Sequence, residues 1–90
     1  VELLLGDCLE RMKEIRDNSV DMILCDLPYG ITSNSWDSTI DLTQLWPEYD
    51  RLISAEGRVV LFGSQPFTST LVSSNVKNFK HSWTWLKPRP

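Results

Sequence analysis

Two rhythms of apolar and polar positions alternate along this chain. Leu3, Leu4 and Leu5 form a short apolar run closed by Gly6-Asp7, the pattern of a strand buried on both faces. Residues 8–15 switch to a helical period, with Leu9, Met12 and Ile15 on one face and Glu10, Arg11 and Glu14 outside. Asp17-Asn18-Ser19 supplies a turn, and residues 20–25 read as a second buried strand that delivers Asp26. Residues 28–40 carry neither period and predict a mobile loop. A helix opens at Asp41, its apolar side formed by Leu42, Leu45, Trp46, Tyr49, Leu52 and Ile53, with Pro47 early enough to be tolerated. Ala55-Glu56-Gly57 predicts its end, with Gly57 in the left-handed position after a helix.

Residues 58–62 predict a third buried strand, followed by Gly63-Ser64-Gln65-Pro66 and a helix over residues 67–76. Residues 79–86 alternate, with Trp83 and Trp85 on one side, and predict a more exposed strand. Strands alternating with helices imply an α/β fold, a mostly parallel sheet with helices on its faces. Ligand sites of such sheets gather at the carboxyl ends of the strands, where Asp7, Asp26 and Gly63-Ser64 all fall.

Composition narrows the picture. Ninety residues make one small domain, able to bury roughly 60–65% of its unfolded surface. That is thin for a parallel α/β fold. With Val1 in place of an initiator Met and Lys87-Pro88-Arg89-Pro90 in place of a closing helix, the expectation is a piece of a longer protein. No signal peptide and no apolar run of the roughly 20 residues needed to cross a membrane is present. Cys8 and Cys25 form neither a disulfide framework nor a metal-binding spacing, and are expected as free structural thiols in buried surroundings of a cytoplasmic protein.

The net charge of −3 argues against a general nucleic-acid binder, but it is unevenly spread. Residues 1–74 hold five Lys/Arg against twelve Asp/Glu, a balance of −7. Residues 75–90 hold Lys77, Lys80, Lys87 and Arg89 with no acids, a balance of +4. That basic end is either a phosphate-gripping surface or a solvated tail.

Asp26-Leu27-Pro28-Tyr29, with Gly30 behind it, places a carboxylate and an aromatic ring at the mouth of the sheet. A strand-end Asp before a proline turn is common in α/β proteins and carries little alone. Its neighbours add more. Gly6-Asp7-Cys8-Leu9-Glu10, Asp17-Asn18-Ser19-Val20-Asp21, Trp36-Asp37, the stretch 57–64 and Trp85-Leu86-Lys87-Pro88 follow in order along nearly the whole chain. Together they resemble the amino-methylating DNA methyltransferases, specifically the adenine N6 group in its circularly permuted order. Gly63-Ser64-Gln65-Pro66-Phe67-Thr68-Ser69 is similar to phage and prophage members.

The resemblance implies a partial Rossmann-like sheet, with residues 1–90 as the catalytic half of a class I methyltransferase domain. It implies methylation of a flipped-out base of double-stranded DNA, in restriction–modification or phage DNA protection, by a bacterial or phage-encoded protein. S-adenosylmethionine would be the cofactor, with no metal. Asp26 and the carbonyl of Leu27 would hold the target amine, Pro28 would set the turn and Tyr29 would stack on the base. Asp7 and Cys8, with Asp26, would lie near the cofactor. Trp36 would border the DNA or cofactor pocket unless it packs the loop. Lys87 would contact phosphate unless it is merely solvated. Trp83 and Trp85 would help shape the base pocket or else pack on the sheet.

Two departures stand out. Leu27 replaces the family's usual proline but keeps the carbonyl. The family's Phe-x-Gly-x-Gly loop, which cradles the methionine half of the cofactor, is absent. The remainder of the domain beyond Pro90 is therefore an expected partner, and a homodimer is compatible. Cytosine N4 or a protein glutamine amide are alternative targets, although relatives acting on protein usually carry Asn at the position of Asp26. A non-catalytic remnant or subunit, binding DNA or a partner, is the alternative from another class.

Overall fold

The computed structural model describes residues 1–30 and 39–88, and the chain there is α/β: a two-stranded parallel sheet with three α-helices. The elements run α1 (Cys8–Arg11), β1 (Val20–Cys25), α2 (Leu42–Leu52), β2 (Ile53–Leu61) and α3 (Phe67–Ser73). The proposed loop residues 31–38, Trp36 among them, and Arg89 lie outside the described residues.

The β1–α2–β2 order is the connection that parallel strands require, because a tight hairpin cannot return the chain in the same direction. Met22, Ile23, Leu24 and Cys25 pair with Arg58, Val59, Val60 and Leu61. Below that ladder Val20 pairs with Ile53, so residues 54–57 bulge out opposite Asp21. Ser54 Oγ donates to Asp21 Oδ1 at 3.0 Å, and Arg58 Nη1 donates to the carbonyls of Glu56 and Gly57.

Gly57 therefore belongs to this bulge and does not cap a helix. Helix α2 ends earlier, where Ile53 turns extended at φ −73° and ψ 137°. A Cβ on Gly57 would meet the Ile53 side chain and come within 3.1 Å of the Val20 carbonyl, which is why glycine fits there.

Helix α2 forms where the apolar period placed it. Asp41 Oδ1 accepts the Thr43 N–H at 3.0 Å and the Thr43 hydroxyl at 2.6 Å, capping the first turn. These bonds hold the Asp41 carboxyl below its ordinary range. Leu42, Leu45, Tyr49 and Leu52 are buried, three or four residues apart, and the helix continues through Pro47.

The core gathers Leu27, Leu42, Leu45, Tyr49, Phe67 and Leu71, with Leu9, Met12, Ile23, Cys25 and Leu61 packed against it. All three helices thus cover the sheet face that carries Ile23, Cys25 and Leu61. The other face stays open: Met22 is 55% exposed, Leu24 61%, and Phe62, just past β2, is also exposed. The expectation of strands buried on both faces is not met.

The runs at residues 3–5 and 79–86 do not form strands either. A strand exists only by pairing backbone groups, and among the described residues β1 pairs with β2 alone. Leu3 and Leu5 stand in solvent. Helix α3 stops at Ser73 because Asn75 leaves helical geometry at φ −154°, and a 3₁₀ turn over Val76–Asn78 follows.

The predicted helix over residues 8–15 splits into α1 and a 3₁₀ turn, Met12–Glu14. Arg51 accounts for the break. Its guanidinium donates to the carbonyls of Met12 at 2.7 Å and Ile15 at 2.8 Å, and to the carboxylates of Asp17 and Glu48, each at 2.8 Å. The bonds to Glu48 and Asp17 hold that guanidinium still more firmly protonated. The last turn of α2 is thereby tied to the segment entering β1. No described helix is long and apolar enough to cross a membrane.

Candidate functional site at the strand ends

Asp26 is the first residue past the ladder, since the last bond between the strands runs from the Phe62 N–H to the Cys25 carbonyl at 3.1 Å. The next residue, Leu27, turns inward and is buried in the core. A leucine at this position thus anchors the turn by packing. Pro28 is half-buried, and Gly30 takes a positive φ of 74° that L-side chains rarely adopt.

Tyr29 folds back over this turn. Its hydroxyl donates to Asp26 Oδ1 at 2.9 Å, and its ring stacks on Phe67 at 5.1 Å between centroids with 23° between planes. Burial first, and then the bond to Asp26, push the Tyr29 hydroxyl above its ordinary pKa. Asp26 itself is exposed. The geometry presents an accessible carboxylate beside a flat aromatic surface, an arrangement suited to a planar ligand carrying N–H donors.

Phe67 joins the candidate site, whereas the sequence placed it in a helix and in the Gly63–Ser69 stretch without a role of its own. It is buried at the start of α3, and it backs the Tyr29 ring. The signal was present: Gly63-Ser64 follow β2 at the same sheet edge as Asp26, so the next helix had to begin nearby. Gln65 steadies that start, its Oε1 accepting from the Ser69 N–H at 3.2 Å and the Ser69 hydroxyl at 2.9 Å.

Asp7 and Cys8 open α1, where Asp7 Oδ1 accepts the Leu9 N–H at 2.9 Å. Both residues are exposed, which corrects the expectation of a buried Cys8 at a strand end. Partial burial raises the Cys8 pKa, and the charges of Asp7 and Cys25 push it the same way. Cys25 is half-buried and, like Cys8, free. Burial raises the Tyr49 hydroxyl far above its ordinary range, with Cys25 as its thiol neighbour.

Lys87 is grouped elsewhere: its ammonium lies over Trp85, 5.4 Å from the ring centroid. A shallow groove of about 260 Å³ runs between α1 and α2, lined by Leu9, Glu10, Lys13, Gln44, Pro47 and Glu48. None of the residues to which the sequence assigns a catalytic, cofactor or nucleic-acid role lines it. Among the described residues, no three His, Cys, Asp or Glu side chains gather as a metal site would require. No family model matches this chain, and no solved structure gives a significant match to it.

Proposed function

We propose that this chain is the catalytic half of an S-adenosylmethionine-dependent DNA methyltransferase acting on adenine N6. The two-stranded α/β unit is then part of a Rossmann-like sheet. One observation carries the reading: Asp26, Leu27, Pro28 and Tyr29 stand together at the carboxyl end of β1, with Tyr29 bonded to Asp26 and backed by Phe67.

The exocyclic amine of adenine is a poor nucleophile because its lone pair is delocalised into the ring. Asp26 accepts one N–H and the Leu27 carbonyl accepts the other, which draws the nitrogen toward tetrahedral geometry and frees the pair. Tyr29 receives the base after it leaves the duplex. The cofactor supplies a methyl group on a sulfonium that carries its own leaving group. Asp7, which caps α1 beside Cys8, offers a carboxylate acceptor for the hydroxyls at the adenosine end. The described residues offer no glycine-lined cradle for the methionine end of the cofactor.

Asp26→Ala in the protein that carries this chain should lower methyl transfer by about 10²–10³-fold, the cost of removing one preorganised polar partner. Cofactor binding should be largely retained. Near-normal turnover would remove Asp26 from the chemistry. Tyr29→Ala should weaken transfer to a paired adenine more than to a mismatched one, because a mismatch lowers the cost of flipping.

A second reading is favoured by the open sheet face at Met22, Leu24 and Phe62: a non-catalytic subunit that docks there. Equilibrium binding of labelled S-adenosylmethionine separates the two, since a subunit of that kind has no use for the cofactor.

A further inference from the structure

Residues 75–88 contain Lys77, Lys80, His81 and Lys87 and not one acid, whereas residues 1–74 are strongly acidic. The same segment holds Trp83 at 78% exposure, Trp85 at 74% and Leu86 at 85%. Isolated apolar residues on a surface are ordinary, but clustered ones mark an interaction surface. The rings also have chosen neighbours. Lys87 lies over Trp85, and the His81 ring meets Trp83 edge-on at 4.8 Å and 74°.

We infer that residues 77–87 form a binding arm for single-stranded nucleic acid, with bases stacking on Trp83 and Trp85 and phosphates held by Lys77, Lys80 and Lys87. The partner is argued from charge and shape together. A lysine over one flat ring, with two more lysines in the same segment, matches a repeating unit that joins a flat base to an anion at short range. A polyanion without bases would use the lysines and leave the tryptophans idle. An anionic membrane favours a continuous amphipathic helix, and residues 79–88 form none. The acidic body of a second copy matches the charge but supplies no ladder of flat faces. The arm extends the DNA reading of the Asp26 site by naming where an unpaired strand is held, and it is tested apart from that site.

The test titrates the chain with fluorescein-labelled oligothymidylate at low salt, following anisotropy and tryptophan quenching. The expected result is saturable binding with quenching, and affinity that falls with salt at a log–log slope of about −2 for three lysine–phosphate contacts. Trp83→Ala with Trp85→Ala should weaken binding at least about tenfold, since stacking at two rings is lost. Changing Lys77, Lys80 and Lys87 to Gln should flatten the salt slope. Asp26→Ala should leave the titration unchanged, so a failed transfer assay and a failed arm are distinguishable. Because both tryptophans are in solvent, their variants should keep the parent's circular dichroism.

Several results would overturn the inference. They are equal affinity for inorganic polyphosphate, unaltered binding by the double tryptophan variant, absence of binding at low salt, capture only by phosphatidylserine vesicles, or a tryptophan-dependent dimer that ignores the oligonucleotide.

Discussion

Leu45 and Leu24 lie on opposite sides of the same pair of strands, one with no exposed surface and the other 61% exposed. Beneath Leu45 the three helices, the inward side of β1 and the turn residue Leu27 close into one cluster. On the side of Leu24 no described element packs, although Met22 and Phe62 extend its apolar surface. Parallel sheets are ordinarily covered on both faces. The apolar run from Val20 to Cys25 is thus composed for two covers, and the described residues provide one. The candidate site sits where these regimes meet. Leu27 and Phe67 root it in the packed side, while Asp26 remains open to solvent.

The largest effect should come from the packed side. Leu45→Ala should cost about 2–5 kcal/mol, through lost burial and the cavity left behind. In a domain this small that is enough to unfold much of the population, as a urea titration would show. A cost below about 1 kcal/mol would mean the cluster is not the core.

The second test uses pH. Tyr49 has its folded pKa raised by burial, and Tyr29 by burial and by Asp26. Below the ordinary tyrosine value of about 10 both states keep the proton and the full contribution is present. Above it the unfolded chain ionises first, so stability is lost as pH rises toward the folded values. Melting temperature should therefore fall between about pH 9.5 and 11. Tyr49→Phe should flatten that fall more than Tyr29→Phe does, and parallel curves would contradict the difference in environment.

A smaller effect belongs to the exposed cap of α2. Thr43 holds the Asp41 carboxyl low, so its contribution is present above the unfolded value of about 3.9 and is lost as pH falls through the folded one. Asp41→Ala should lower the urea midpoint modestly at neutral pH and weaken its dependence on acid. The smallest effect should be on the open face, where Leu24→Ala is expected to stay within about 0.5 kcal/mol. A loss as large as that of Leu45→Ala would show that this face is covered.

Local chemistry was legible in the sequence wherever a residue and its neighbours decide the outcome. Asp41 and the spacing of Leu42, Leu45, Tyr49 and Leu52 announced α2, and the apolar run ending at Cys25 announced β1 with Asp26 beyond it. The pairing residues of β2 from Arg58 onward were legible for the same reason. What distant partners decide was not. Residues 3–5 and 79–86 have strand composition but no described strand to pair with. Gly57 looks like a helix cap until the Ile53 side chain and the Val20 carbonyl are seen to crowd it. Nothing beside Arg51 in the sequence announces that it joins four acceptors, three of them at least 34 residues away. Phe67 reads as one apolar helix position, and only the parallel pairing of β1 with β2 brings it behind Tyr29.

Whether a methyl group reaches a base, and at which atom, decides the proposed function. The protein that carries this chain should be incubated with duplex DNA and S-adenosylmethionine labelled in its methyl group, and the digested nucleosides identified by mass spectrometry. The proposed function predicts label in N6-methyladenine, lowered about 10²–10³-fold when Asp26 is replaced by Ala. Label on cytosine N4, label in protein, or unlabelled DNA would contradict it.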